Sequence, residues 1–288
     1  MTIAVTAASG QLGAAIVRAV QALDDDREVI GLARTPANAA DLGVEVRPGD
    51  YSDVAPLTES LAGVDALLLV SGNEAPDERI QQHRNVLEAA LAAGVEKVVY
   101  TSIQGPDEGS AFSPVVASNR QTEEDVRASG MRWAIGRNGI YIEPDVEAMP
   151  DYIAAGEVSN SAGEGRVGYT TRDELAHAYA HLLTDDTHDG NTYDLHGELL
   201  TQAQLVGHLN SAFGTDLTYR PVTVEEYRRD RIKALGDFMG TIIAGIYEGI
   251  RGGAHDRPSD YEAASGRPHT SWDAWFAQLA AARSGGAS

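Results

Sequence analysis

Apolar and polar positions along the first half of the chain follow two alternating rhythms. Short apolar runs at Ile3–Thr6, Val29–Leu32, Val44–Val46, Ala66–Val70, Val98–Thr101 and Trp133–Ile135 have the length and character of buried strands. Between them, apolar residues return every three or four positions. From Gln11 onward, Leu12, Ala15, Ile16, Ala19, Val20 and Leu23 share one helical face. Further helices are predicted at Asp77–Ala93, stopping at Gly94, and at roughly Arg120–Ser129, stopping at Gly130, since glycine suits the position after a helix. The acidic run Asp24, Asp25 and Asp26 follows the first helix where cations would be preferred, and reads as solvated surface. Strands alternating with helices build right-handed βαβ units and a parallel sheet.

Beyond about Glu143 the rhythm changes. A helix at Asp173–Leu183, a strand at Thr192–Leu195, a helix at Gln202–Phe213 and a strand at Leu217–Arg220 precede mostly helical sequence. The chain thus reads as α/β: a Rossmann-type doubly wound parallel sheet over 1–143, then a smaller, mostly helical C-terminal substrate domain over 144–288. The Thr192–Leu195 strand is free to rejoin the main sheet. The second part is expected to close one wall of a cleft at the sheet's carboxyl edge, where such folds bind ligands. Phe238, Met239, Ile242, Ile243, Ile246, Tyr247 and Ile250 recur at helical intervals as core or cleft wall, with a substrate lid or dimer face as the alternative. Trp272, Trp275 and Phe276 anchor the last helix, and the small-residue tail Ser284–Ser288 is expected to fray.

Composition narrows the partners. The formal charge of −21 opposes nucleic acid or an anionic membrane, and no apolar run is long enough to span a bilayer. Met1 leads straight into a strand without a signal-like segment, and cysteine is absent, which removes disulfides, thiol nucleophiles and thiolate metal sites. A cytoplasmic location is expected; the oligomeric state, a homodimer included, stays open. A phosphate-bearing ligand must find a locally positive pocket in this negative field.

The turn Thr6-Ala7-Ala8-Ser9-Gly10-Gln11-Leu12-Gly13 joins the first strand to the first helix, where backbone must approach a pyrophosphate at a helix N-terminus. Ser9, Gly10, Gln11, Leu12 and Gly13 are the candidate phosphate-binding residues. Gly10 permits close approach and Gly13 tight helix packing, whereas Ala7 stands where the usual G-x-x-G-x-x-G has its first glycine. The second strand ends Ile30-Gly31-Leu32-Ala33-Arg34, with no acid to bind a ribose 2′-hydroxyl. Arg34 can pair with a 2′-phosphate, so NADP(H) is favoured over NAD(H). Asp50, after the third strand, is either an adenine neighbour or a plain turn aspartate.

Taken together, Ser9–Gly13, Ala33-Arg34-Thr35-Pro36, Gly49-Asp50-Tyr51, Gln82-His83-Arg84-Asn85, Tyr100-Thr101-Ser102, Arg137-Asn138-Gly139-Ile140-Tyr141, Thr171-Arg172-Asp173 and Gly266-Arg267-Pro268 resemble the NmrA-like atypical short-chain dehydrogenases, and within them the type 2 NAD(P)H:quinone oxidoreductases. The resemblance covers nearly the whole chain. It implies NADPH in the cleft and a quinone stacked near the nicotinamide, without flavin or metal. It further implies Gln11 and Asn138 as the catalytic polar groups, Asn138 and Tyr141 beside the acceptor, and Ser71, Gly72, Thr101 and Ser102 along the cofactor. Asn119 stands where relatives carry a histidine.

The Tyr-x-x-x-Lys dyad of typical short-chain dehydrogenases is absent: neither Lys97 nor Lys233 has a tyrosine four residues before it. Carbonyl reduction by that route is disfavoured. Quinone reduction forms an aromatic product and a stable oxyanion, so proximity plus a neutral donor such as Asn138 can suffice. The alternative is an NADP(H)-sensing regulatory protein with little turnover; reductases of other acceptors and sugar-nucleotide epimerases come behind. His177 and His181 share a helix face but lack a third ligand, and read as surface histidines; no metal site is expected. Arg172-Asp173 reads as a helix-start cap.

Overall fold

The computed structural model describes residues 1–23 and 26–285. Asp24, Asp25 and the last three residues of the tail expected to fray lie outside the described residues.

The first half runs β1 (Thr2–Val5), α1 (Gln11–Gln21), β2 (Glu28–Ala33), β3 (Glu45–Pro48), α2 (Val54–Ser60), β4 (Ala66–Val70), α3 (Pro76–Ala93), β5 (Lys97–Ile103), α4 (Ser113–Ala128) and β6 (Arg132–Asn138). The second half runs β7 (Ile140–Tyr141), α5 (Glu143–Glu147), α6 (Met149–Ala155), β8 (Glu157–Asn160), β9 (Val167–Thr170), α7 (Arg172–Thr184), β10 (Asn191–Leu195), β11 (Leu199–Leu200), α8 (Gln202–Phe213), β12 (Thr218–Pro221), α9 (Val224–Leu235), α10 (Asp237–Arg251), α11 (Tyr261–Ser265) and α12 (Trp272–Gly285).

Seven strands form one sheet in the order β10-β6-β5-β4-β1-β2-β3, every pair parallel. The order reverses between β1 and β4, so a crevice opens above their carboxyl ends. Successive side chains of a strand point to opposite faces, and both faces are covered. Ile3, Val5, Ala66 and Leu68 enter a core with α1 and α7. Ala4, Leu67, Leu69, Val98 and Tyr100 enter a second core beneath α2, α3 and α4. This double burial is why the strands read as unbroken apolar runs.

The chain after Glu143 returns to the sheet at two places. β10 pairs with β6 in the register Leu195↔Asn138, and α7 packs along α1 with Leu175, Ala178, Tyr179 and Leu182 all buried. A third core, around Met149, Tyr169, Leu205, Trp272 and Phe276, unites α6, β9, α8 and α12. Two small sheets, β11-β9-β7 and β12-β8, lie in this part; of their strands only β12, expected at Leu217–Arg220, was foreseen in the sequence. Helix α4 begins at Ser113, a full two turns before the expected Arg120, with Pro114 in its first turn, where a missing N–H is harmless.

Candidate active site

The crevice is built first from the β1–α1 turn. Thr6 is fully buried, and its hydroxyl oxygen accepts from the Val70 N–H at 2.9 Å and from the Tyr51 hydroxyl at 2.5 Å. These bonds tie β1 to β4 at the point of reversal. The chain then turns through Ala7, whose φ of +49° is left-handed, and whose carbonyl accepts the Gly10 N–H at 2.8 Å. The position that usually holds glycine keeps its glycine-like geometry despite a methyl group, at a cost of about 1 kcal/mol. Gly13 is indispensable to this arrangement: a Cβ there would lie 2.3 Å from the Ala7 oxygen. No side chain caps α1, so its first-turn N–H groups remain available to an anion. A glycine cradle and an uncapped helix start fit a dinucleotide diphosphate.

Two connected hollows meet at this turn. A 220 Å³ slot is lined by Ser9, Gly10, Arg34, Asp50, Ser71 and Gly72, among others. A 710 Å³ cavity continues past Gln11, Leu12 and Gly13 to Thr101, Asn138 and Tyr141. The structure therefore brings every candidate together except Ser102, which turns away. Its hydroxyl donates to Glu123 at 2.7 Å, and it lines neither hollow. Along β5 successive side chains face opposite ways, so Thr101 and Ser102 cannot both face the cavity.

The loop after β4 is held from below. The Ser71 N–H donates to Thr101 Oγ1 at 2.9 Å and the Gly72 N–H to His83 Nε2 at 2.9 Å. His83 is fully buried, and burial with nearby Arg79 pushes its pKa down to about 3. It stays neutral, with Nδ1–H directed to Thr122 Oγ1 at 2.9 Å. Asn85 donates to the Tyr51 carbonyl at 2.9 Å, fixing the turn that carries Asp50. Asp50 itself accepts the Ser52 N–H at 2.9 Å, so it serves as a turn aspartate while lining the slot.

At the far end stands Asn138, the last residue of β6. Its Oδ1 accepts from the buried Tyr179 hydroxyl at 2.6 Å, and its Nδ2 donates to the Tyr141 hydroxyl at 3.2 Å. The Tyr179 hydroxyl reaches it because Gly136 has no side chain; a Cβ there would sit 2.4 Å from that oxygen. The amide is thereby oriented with its NH₂ toward the cavity side. Burial raises the Tyr141 pKa, against the opposing effects of Asn138 and Arg172, so the phenol remains protonated at neutral pH.

Arg172 was missed as a site residue. The cap of α7 is Thr171, which accepts the Glu174 N–H at 3.0 Å, and Arg172 instead lies over the Tyr141 ring at 5.5 Å and lines the cavity. Its neighbours Glu143 and Glu147 hold it at 3.9 and 3.7 Å. Asn119 also lines the cavity, with its Oδ1 accepting from the Tyr100 and Ser71 hydroxyls and its Nδ2 donating to the Val115 carbonyl. Phe238, Met239, Ile242, Ile243 and Ile246 of α10 form the apolar wall, with Phe238 and Met239 exposed at the mouth.

No lysine lines the slot or the cavity. Lys97 is fully buried at the amino end of β5, at 2.7 Å from Asp189, and Lys233 is exposed on α9. His177 and His181 stand with ring centroids 4.7 Å apart, and His177 meets the Ser265 carbonyl. Among the described residues, no three His, Asp or Glu side chains converge on a point that could hold a metal ion.

Comparison with known proteins agrees with this geometry. Quinone oxidoreductase 2 of Escherichia coli strain K12 is 32% identical over 277 residues, covering 93% of this chain and 95% of that protein. The crystal structure of the NADPH-dependent quinone oxidoreductase from Escherichia coli complexed with NADPH superposes with a TM-score of 0.87 at 31% identity, over 96% of this chain and 99% of that one. The Citrobacter sp. triphenylmethane reductase complexed with NADP(H) does so with a TM-score of 0.88 at 31% identity, with the same coverage of 96% and 99%. The family model described as NAD(P)H-binding matches residues 7–186, which run from Ala7 of the glycine turn through β2–β6 to the end of α7. With more than half its length matched and the dinucleotide cradle in place, the chain belongs to the NAD(P)H-binding family.

Proposed function

We propose that this chain is an NADPH-dependent oxidoreductase that delivers hydride to a quinone or a similarly activated acceptor. The observation that carries the reading is Asn138: a neutral, rigidly oriented amide donor at the end of a dinucleotide cleft that has no lysine beside it and an apolar wall facing it. The quinone oxidoreductase and triphenylmethane reductase relatives support it.

The N-terminus of α1 binds the diphosphate through backbone N–H groups, and Arg34 meets the 2′-phosphate. When bound, the dihydronicotinamide supplies the hydride; a quinone that takes it up becomes a hydroquinone anion, and a solvent proton completes the product. Asn138 Nδ2, aimed by Tyr179, donates to the oxygen on which that charge develops. The Tyr141 phenol is a second neutral donor at the same place. The α10 wall packs against a planar aromatic acceptor and keeps water from the reacting atoms. Gln11, exposed at the first position of α1, lies where it can orient the two rings. Proton transfer at the rate of an activated tyrosine is unnecessary, because the product anion is stable.

The test is NADPH oxidation, followed by loss of the reduced-nicotinamide absorbance, with and without a panel of small quinones, alongside direct NADPH titration. Quinone-dependent turnover that Asn138→Ala abolishes, with NADPH binding retained, is the expected result. Tight NADPH binding without turnover on any acceptor would overturn the reading in favour of an NADP(H)-sensing regulatory protein.

A further inference from the structure

We propose that Glu74 sets the balance between NADPH and NADH, by competing with the 2′-phosphate for Arg34. The proposal rests on the reading above, in which Arg34 is the 2′-phosphate ligand. Three charged residues line the 220 Å³ slot: Arg34, Asp50 and Glu74. One cation against two carboxylates leaves the slot negative, which is the wrong sign for a cofactor carrying an extra phosphate. Asp50 is engaged in its own turn through the Ser52 N–H. The carboxylate of Glu74 instead faces across the slot, 3.9 Å from Arg34 Nη1.

The backbone of Glu74 is anchored. Its carbonyl accepts from Arg79 Nη2 at 3.0 Å, and Arg79 is buried and bonded through Nη1 to the Ser118 hydroxyl at 3.2 Å. The backbone is therefore anchored while the carboxylate stays on the rim. The pair itself is loose, with Arg34 75% and Glu74 42% exposed, so a ligand can part it. A 2′-phosphate must draw Arg34 away and remain in the field of the Glu74 carboxylate. A ribose 2′-hydroxyl carries no such charge and can donate a hydrogen bond to that carboxylate. Glu74 thus disfavours NADPH and supports NADH, offsetting part of what Arg34 contributes in the opposite direction. The end of β2 read alone points to NADPH only; the acid that tempers the preference is some forty residues away, across the slot.

The experiment is equilibrium titration of NADPH and NADH, by nicotinamide fluorescence, into the whole chain and its Glu74→Gln, Arg34→Ala and doubly substituted forms. Removing the competing carboxylate is expected to tighten NADPH by about fivefold, the upper range for an exposed ion pair, and to leave NADH unchanged or slightly weaker. In the Arg34→Ala background the same substitution is expected to shift NADPH by less than about twofold. An unchanged NADPH-to-NADH ratio in Glu74→Gln, with a normal NADPH-specific loss in Arg34→Ala, overturns the role of Glu74 alone. A weaker NADPH complex in Glu74→Gln would make Glu74 a support for Arg34 and also overturn it. Equal losses of both cofactors in Arg34→Ala would overturn the placement of the 2′-phosphate and the proposal with it.

Discussion

Tyr179→Phe removes one oxygen from the interior and tests whether the orientation of Asn138 matters. The lost hydroxyl lies 2.6 Å from Asn138 Oδ1 and 2.9 Å from the Gly136 carbonyl, and it is fully buried. The ring stays, so no large cavity forms; the cost is that of acceptors left without a donor, about 1–2 kcal/mol. For a chain of this size that lowers the melting temperature by about 2–3 °C. The catalytic consequence is separate. With its Oδ1 released, the amide is held only by the 3.2 Å contact to Tyr141, and its two orientations become comparable in energy. Loss of about 1.4 kcal/mol of orientation corresponds to a tenfold fall in kcat. The assay combines a thermal melt, NADPH titration and steady-state kinetics with a small quinone. The expected pattern is a tenfold lower kcat, an unchanged NADPH Kd and a modestly lower melting temperature. A lower melting temperature with kcat intact would refute the argument, since the bond would then serve the fold and not the chemistry.

Other outcomes follow from the same geometry. Gly13→Ala would place a methyl group 2.3 Å from the Ala7 oxygen and push α1 off its turn, so NADPH binding is expected to weaken about a hundredfold in titration; a change under threefold would show that the turn can yield. Glu123 is fully buried; burial raises its pKa, but bonds from Arg137 and Ser102, with Arg120 close by, hold it down at about 2, against an ordinary 4.5. A carboxylate depressed in the folded state contributes stability above its unfolded pKa and loses it as pH falls, so about 3 kcal/mol should disappear between about pH 4.5 and 2. Denaturant unfolding of the native chain and Glu123→Gln across that window checks this, and parallel pH curves would contradict it. The −21 charge opposes NADPH at long range, so moderate salt should leave affinity level or improved; a steep decline on adding salt would assign the binding to exposed ion pairs instead.

The strands and the β1–α1 turn were legible in the sequence because each depends on local pattern; Arg34 was singled out by its position after β2, and Asn138 only by the family resemblance. What escaped was set by distant parts of the chain. Ser102 looked equivalent to Thr101, and only the pleat of β5 separates the one facing the cavity from the one bonded to Glu123. Arg172 looked like part of a cap, because the stacking on Tyr141 brings together positions thirty-one apart. The small sheets of the second half have strands of two to four residues, too short to leave a period. Ala7 shows the reverse case: a departure visible in the sequence left the backbone geometry in place.

The burial of Lys97 has a practical use in watching the cleft move. The sequence offers two lysines and no cysteine, and the amine of Lys97 is buried at the amino end of β5 against Asp186 and Asp189. Beyond the chain's own amino terminus, an amine-directed dye has Lys233 as its single side-chain target. That residue sits near the end of α9, four residues before the helix whose Phe238 and Met239 guard the cavity mouth. A fluorophore placed there by ordinary chemistry, with no engineered attachment point, would report whether α10 shifts when cofactor and acceptor enter.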